Sequence, residues 1–243
     1  MTESLLLDRS LGDLARSIPG ATALFHRHQL DFCCGGKKTL RDATAPLAID
    51  GAALAAELDA LGDTGDAGQD WRQASAQEMI DHILARYHER HRQQLPELVR
   101  LARRVETVHA DRPECPHGLA DHLAQMLDEL QDHMAKEEQI LFPMLLRGVP
   151  PVGLAPVHMM RIEHDAHGQA LARMVTLAHG LAQPRGACNT WRALLAGLHT
   201  LREDLMQHIH LENNILFDGL NAPASGCGTG CGCGVSAAPA LAH

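Results

Sequence analysis

Aromatic residues are scarce in this chain: Phe, Trp and Tyr together make up only 3% of its 243 residues. Hydrophobic residues still account for 45% of the sequence, so a core can form from Leu, Ala, Met, Ile and Val. Such a core favours helices, because β-sandwiches depend more heavily on aromatic and β-branched residues. The composition therefore argues against a β-sandwich and for a helical fold.

Long apolar runs and positive charge are lacking as well. No apolar run is long enough to span a bilayer, and the opening "MTESLLLDRS" lacks the basic start and long apolar centre of a signal peptide. The formal net charge of −9 argues against a nucleic-acid binder. We therefore expect a cytoplasmic protein without membrane or nucleic-acid partners. In that compartment the seven cysteines are expected as free thiols or metal ligands, not as disulfides.

The sequence pattern divides the chain into a short and a long helical part. Residues 1–62 predict a small helical domain, and the Gly- and Asp-rich stretch 63–74 predicts a linker. Residues 75–221 hold four long helical patterns separated by short turn-rich segments, which predicts an antiparallel four-helix bundle. Residues 222–243, rich in Gly, Ala, Pro and Ser, predict a disordered tail. The predicted fold class is all-α, with a kink at Pro96 inside the first long helix.

Histidine is the residue that the chain has in excess, with 17 copies, and a metal site is one reason for them. Two segments, "QDHMAKEEQILF" and "MQHIHLENNILF", are alike and each place His and Glu four residues apart. The pairs are His133 with Glu137 and His208 with Glu212. Residues at this spacing lie on one face of a helix, so the second and fourth bundle helices each present an imidazole and a carboxylate together.

The positions of the turns between the helices predict two further histidines at the same height along the bundle. In an antiparallel pair of helices, residues at one height are equidistant from the connecting turn. By this rule His88, His133, His164 and His208 share one level of the bundle, one from each helix. His109 is left out, because it lies roughly 30 Å from His88 along a helix that rises about 1.5 Å per residue. For His167, close to His164, the sequence leaves open an ordinary role and a role as an additional ligand or as a group that supports the ligands.

The six residues predict a site for two metal ions. If Glu137 and Glu212 both bridge, each metal receives two imidazole nitrogens and two carboxylate oxygens, with one or two positions left open. Mixed nitrogen and oxygen donors favour iron or manganese, whereas structural zinc is normally closed and tetrahedral. We expect a di-iron centre with an oxo or hydroxo bridge. Ordinary surface or core roles are predicted for His82, His91, His117, His122, His158, His179, His199 and His210.

These segments, together with "RYHERHRQQLPELVRLARRVETVHAD", "EHDAHG" and "LDFCCGGKKTL", resemble a known family. They look like hemerythrin-like di-iron proteins, and specifically like the iron–sulfur cluster repair proteins with an ScdA-type N-terminal domain. The resemblance covers about residues 8 to 220. In that family the di-iron ligands fall on the positions that match His88, His133, Glu137, His164, His208 and Glu212. The extra tail, with Cys227, Cys231 and Cys233, lies beyond the family's usual end; we expect it to be flexible, and metal binding or redox behaviour of these cysteines stays open as the alternative.

The resemblance implies a protein that restores iron–sulfur clusters damaged by nitric oxide or oxidants, by supplying iron to damaged or apo cluster proteins. It also implies that nitric oxide or oxygen binds at the di-iron site, and a homodimer is compatible with it. Two alternatives stay open at this point. One is a di-iron nitric oxide reductase or peroxidase, although ferritin-like di-iron enzymes use Glu-x-x-His pairs at a spacing different from the one here. The other is a sensor of oxygen or nitric oxide, for which no output domain is visible.

The adjacent cysteines Cys33 and Cys34 form the second candidate site. A disulfide between neighbours strains the peptide and is labile. Gly35 and Gly36 keep the backbone open, and the two lysines that follow favour a thiolate. We therefore predict a reactive or iron-handling pair, and no role is assigned to Cys115 or Cys188.

Overall fold

The computed structural model describes residues 3–18, 20–33, 35–63 and 71–219, and within these ranges it contains helices and no strand. Five helices form the N-terminal part: α1 Glu3–Leu7, α2 Leu11–Ser17, α3 Ala21–Arg27, α4 Leu40–Thr44 and α5 Gly51–Asp63. Six follow: α6 Ala76–Ile83, α7 Glu89–Val108, α8 Leu119–Lys136, α9 Phe142–Leu146, α10 Ala155–Leu177 and α11 Asn189–Leu211. There are π-helical turns at Leu84–His88, Glu137–Leu141 and Glu212–Leu216, and 3-10 turns at Ala45–Leu47, Trp71–Gln73 and His179–Leu181.

The π-helical turns continue the helices that they join, so the later part consists of four long bundle helices. The first bundle helix spans 76–108, the second 119–146, the third 155–177 and the fourth 189–216. The first packs against the second and the fourth, and the second packs against the third. The predicted all-α fold with a four-helix bundle is confirmed. The chain continues as a helix from Glu89 to Val108 through Pro96.

The hydrophobic core is split by the level at which the predicted ligands lie. One buried cluster joins the N-terminal helices to the half of the bundle that holds Leu98, Leu123, Leu171 and Leu198. A second cluster, around Met79, Phe142, Met160 and Ile215, fills the other end of the bundle. The polar layer at His88, His133, His164 and His208 therefore has apolar packing above and below it, which keeps water away from it.

In the N-terminal part, two capped short helices are tied together. Ser10 caps α2 by accepting the backbone N–H of Asp13, and Thr39 caps α4 by accepting that of Asp42. The backbone N–H of Leu11 donates to the carbonyl of Lys38 at 2.9 Å beside these caps. Helices α1 and α4 were not predicted, because five residues are too few to show a helical period. Of the predicted linker, residues 64–70 lie outside the described residues, as does the predicted disordered tail 222–243.

The N-terminal part docks on the end of the fourth bundle helix. Asn213 Nδ2 donates to the carbonyl oxygen of Cys33 at 3.2 Å, and Asn214 Nδ2 donates to that of Phe32 at 3.3 Å. A Cβ added at Gly36 would lie only 2.7 Å from the Phe32 carbonyl oxygen, so glycine is what allows this tight loop. The backbone of Phe32 and Cys33 is thereby held against the bundle.

Among the described helices, none combines the length and the apolar character needed to cross a bilayer.

Candidate metal centre

The structure brings all six predicted ligands together in two groups that share both carboxylates. His88 and His208 form one group with Glu137 and Glu212, and His133 and His164 form the other with the same two glutamates. The potential ligand atoms of each group lie within 4.8 Å of one another. All six residues are at most 1% exposed, so the groups are sealed from solvent.

Each carboxylate offers one oxygen to each histidine pair. Glu137 places Oε2 3.3 Å from His88 Nε2 and Oε1 3.3 Å from His133 Nε2. Glu212 places its two oxygens in the same way, with Oε1 3.3 Å from His208 Nε2 and Oε2 3.1 Å from His164 Nε2. This arrangement gives each half of the site two nitrogens and two oxygens, as the donor count from the sequence predicts.

Local helix distortions accompany the ligands. The π-helical turns begin at Glu137 and Glu212, and a third one ends at His88. A π-helical turn inserts one residue into an α-helix, and such insertions are frequent at functional sites. Three of the four bundle helices therefore deviate from regular α-geometry at the level of the site.

The hydrogen bonds of three ligand imidazoles fix where their protons lie. The Nδ1 atoms of His88 and His133 meet the carboxylates of Glu138 at 2.7 Å and Glu163 at 2.8 Å. Because a carboxylate only accepts, each Nδ1 carries a hydrogen, and each Nε2 is the nitrogen that faces the site and can bind a cation once it has no proton. His164 Nδ1 lies 2.9 Å from Asn213 Oδ1, which has the same consequence.

The resulting donor set fits cations. The Nε2 atoms of the four histidines and the carboxylate oxygens of Glu137 and Glu212 converge on one buried space, where unprotonated imidazoles and carboxylates offer only acceptors. In the described part of the chain, the groups nearest to both carboxylates are the four imidazoles, and an imidazole can donate to a carboxylate here only while its Nε2 carries a proton. Buried acceptors without donors are costly, and a metal ion is what satisfies such a set. The mixture of imidazole and carboxylate, without thiolate, suits iron or manganese.

The electrostatics of the site also favour bound positive charge, because the two carboxylates stabilise protonated histidines. Burial lowers the pKa of His133, but the Glu137 and Glu212 carboxylates outweigh it and raise this pKa to about 9. Burial and the nearby Glu212 raise the pKa of Glu137, but His133 and His88 outweigh them and lower it to about 2. In the same way, Glu137 outweighs burial and raises the pKa of His88. When no metal is bound, protons on the imidazoles thus supply part of the charge that cations would bring.

Two carboxylates behind the ligands are anchored by basic residues. Arg92 donates to Glu138 at 2.7 Å, and Lys136 donates to Glu163 at 2.6 Å. Both carboxylates were missed from the sequence. The sequence feature that could have pointed to these carboxylates is their position next to predicted ligands: Glu138 directly follows Glu137, and Glu163 directly precedes His164.

Replacing Glu163 by leucine is expected to weaken metal binding about tenfold, because His133 loses the acceptor that fixes its proton and ring orientation. The measurement is anaerobic competition between the protein and a chelator for Fe²⁺ or Mn²⁺. Glu129→Leu, at an exposed position of the second bundle helix, is the control. An affinity within about twofold of the wild type would contradict this role for Glu163.

Two further histidines lie against the site without joining either group. His167 is 5% exposed, and its ring centroid lies 4.8 Å from that of His133. His91 is fully buried and stacks 5.5 Å from His208. Neither ring nitrogen of His91, nor Nε2 of His167, has a hydrogen-bond partner among the described residues. The prediction left the role of His167 open, and it treated His91 as ordinary although the structure places it beside the ligands.

The other candidates lie elsewhere. His109 Nε2 is 3.2 Å from Cys188 Sγ at the far end of the bundle, away from the site. Cys33 is 4% exposed, and its thiol lies 3.3 Å from Asp31 Oδ1. Cys34 lies outside the described residues, as do the tail cysteines Cys227, Cys231 and Cys233.

Fold and site together define a helical-bundle protein whose centre is built to hold cations between histidines and carboxylates. Residues 79–220 match the hemerythrin HHE cation binding domain, and residues 7–62 match ScdA_N, a domain of unknown function. The iron-sulfur cluster repair protein YtfE of Yersinia pseudotuberculosis serotype O:3 (strain YPIII) is 53% identical over 210 residues, 86% of this chain and 95% of that protein. That of Yersinia pestis (strain Pestoides F) is 52% identical over the same shares.

The chain therefore belongs to the hemerythrin HHE family and, within it, to the group formed by the iron-sulfur cluster repair proteins. The resemblance predicted from the sequence motifs is confirmed.

Proposed function

We propose that this protein holds a di-iron centre and repairs iron–sulfur clusters damaged by nitric oxide or oxidants, by donating iron. The observation that carries this proposal is the pair of buried histidine groups that share the carboxylates of Glu137 and Glu212. The proteins with which it shares about half of its residues carry the name of iron-sulfur cluster repair proteins. We place its activity in the cytosol, with damaged or apo iron–sulfur proteins as partners.

The charges of the site support an exchangeable iron pair. Four neutral imidazoles and two carboxylates bring only two negative charges to two divalent ions. An oxo or hydroxo bridge would lower the remaining positive charge, and it would complete the coordination that four protein donors per metal leave open. No thiolate takes part, so the donors are harder than those that hold iron in clusters. Iron can therefore pass from this site to thiolate ligands, which bind it more strongly.

We propose that nitric oxide or oxygen occupies the positions left open by the protein ligands. The observation in favour is the placement of His91 and His167, which lie beside the two histidine pairs with unpartnered ring nitrogens. A bound diatomic ligand would find hydrogen-bonding groups there. Binding is tested by titrating the reduced, iron-loaded protein with nitric oxide and following the spectrum of the iron. The proposal requires a new spectral species, and an unchanged spectrum would contradict it.

The repair activity is tested on a [2Fe–2S] protein whose cluster has been destroyed by nitric oxide. The iron-loaded protein is added with a reductant and sulfide, and cluster absorption is followed. We expect recovery with the loaded protein and little recovery with metal-free protein when a chelator scavenges free iron. Equal recovery with free Fe²⁺ under the same chelator would contradict donation by the protein.

We propose that Cys33 and Cys34 accept iron that leaves the bundle and pass it to the client. Cys33 supports this role because its backbone is hydrogen-bonded to the end of the fourth bundle helix, beside the ligand Glu212. A Cys33→Ser/Cys34→Ser variant is expected to keep its iron but to lose most of its transfer to the client. Cys115→Ser is the control, since Cys115 lies in the loop after the first bundle helix. Normal transfer by the double variant would refute the role of the pair.

A further inference from the structure

One side chain links the predicted ligand His164 to the loop that carries Cys33. The side-chain oxygen of Asn213 lies 2.9 Å from His164 Nδ1, and its nitrogen lies 3.2 Å from the carbonyl oxygen of Cys33. Asn213 is 5% exposed and belongs to the π-helical turn that begins at Glu212. A single amide thus bridges the metal centre and the N-terminal part.

The orientation of this amide is fixed by its two partners. The Cys33 carbonyl only accepts, so it faces the NH₂ group of Asn213, and Oδ1 is left for the N–H of His164. Turning the amide over would set donor against donor at His164 and acceptor against acceptor at Cys33. Both hydrogen bonds are therefore made together or lost together. A shift of the loop that pulls on the amide also disturbs the group that orients His164.

We propose that Asn213 is a positioning residue that couples retention of the metal bound through His164 to the conformation of the cysteine loop. The cysteine loop is defined here by the described residues 30–33 and 35–37. The inference rests on the di-iron site proposed above and adds a control over iron release. When the loop is docked, Asn213 holds the proton of His164 on Nδ1 and keeps Nε2 available to the metal. When the loop moves away, that support is weakened and iron leaves faster.

The surroundings of the loop leave room for such a movement. A cavity of about 320 Å³ lies at the junction of the N-terminal part and the bundle, and both Cys33 and Asn213 line it. A metal or a covalent adduct on the loop would act directly beside the amide. Because coupling is reciprocal, metal bound through His164 also holds the loop in its docked position.

The neighbouring Asn214 provides a matched control. Its Nδ2 donates to the Phe32 carbonyl at 3.3 Å and lies 3.0 Å from His210 Nδ1. Asn214 therefore holds the same loop with the same chemistry, but these hydrogen bonds of its amide go to Phe32 and His210 and not to a predicted ligand. Its substitution separates loosening of the loop from loss of support for His164.

The first test is the rate at which a ferrous chelator removes iron from the loaded protein. Asn213→Leu removes both hydrogen bonds and is expected to speed release about tenfold, whereas Asn213→Asp keeps the acceptor for His164 and releases iron no faster than the wild type.

Gly36→Ala displaces the loop, because the new Cβ would lie 2.7 Å from the Phe32 carbonyl oxygen. Gly36→Ala is expected to speed release in the wild-type background and not in the Asn213→Asp background. Equal acceleration in both, or none in either, would overturn the coupling.

The second test needs no substitution in the loop and covers the case in which Gly36→Ala fails to fold. Hydrogen exchange of the peptide that carries Cys33 is compared with and without iron. Iron is expected to slow this exchange in the wild type and in Asn214→Leu but not in Asn213→Asp. The same protection in all three proteins would overturn the proposal. If the wild type binds no iron at all, the proposed di-iron site is contradicted. If iron binds and the variants behave alike, only the proposed coupling through Asn213 is contradicted.

Discussion

Glu212→Ala loses both metal ions: after loading and desalting, its iron content is at least about tenfold below that of the wild type. The reason is the shared position of this carboxylate. One oxygen of Glu212 faces His208 at 3.3 Å and the other faces His164 at 3.1 Å, so its removal takes a donor from each metal at once. A ligand that served one metal alone would leave the other in place.

The control for this variant is Glu203→Ala, at an exposed position of α11. It is expected to keep its iron. Loss of metal by Glu212→Ala must be distinguished from unfolding, since Glu212 also interacts with His164, His133 and His88 in the metal-free protein. Circular dichroism of both metal-free proteins checks this point. Full retention of iron by a folded Glu212→Ala protein would exclude the proposed site.

Metal affinity rises steeply with pH, by about tenfold per pH unit for each proton that the metal displaces. Without metal, the Glu137 and Glu212 carboxylates raise the pKa of His133 to about 9 against the effect of burial, and Glu137 also raises that of His88. Below pH 9 a proton must therefore leave His133 before its Nε2 can bind a cation. The affinity increases as the pH rises toward 9 and levels off above it.

Chelator competition at several pH values between about 6 and 8 measures this dependence, and calorimetry in two buffers of different ionisation enthalpy counts the protons released. We expect the affinity to rise about a hundredfold over this range from His133 alone, and further if His88 releases a proton as well. An affinity that does not change with pH would show that the imidazoles carry no displaceable proton. In that case the site does not compensate its charge as the structure indicates.

The six residues that the structure groups at the candidate site could be predicted from the sequence because their geometry follows from helix periodicity. His133 with Glu137 and His208 with Glu212 repeat one spacing on two helices, and a helix turns such pairs to one side. The level of His88 and His164 follows from the positions of the turns between antiparallel helices. Both rules are local or nearly so, and they require no knowledge of side-chain contacts.

The groups behind the ligands could not be found in this way. Glu138 and Glu163 are two of many charged residues on amphipathic helices, and only the packing of neighbouring helices brings them to Nδ1 of His88 and His133. Asn213 depends on the docking of the N-terminal part, which no periodicity encodes. His91 looked like any histidine of a helical surface, yet the π-helical turn that ends at His88 lies just before it in the chain.

Iron transfer is tested most directly with protein loaded with iron-57 and mixed with an apo iron–sulfur scaffold protein. Mössbauer spectra before and after mixing follow the same iron atoms from one protein to the other. The proposed function predicts a coupled di-iron signal that shrinks while a cluster signal grows by a corresponding amount. A di-iron signal that stays constant while the scaffold remains without cluster would contradict iron donation.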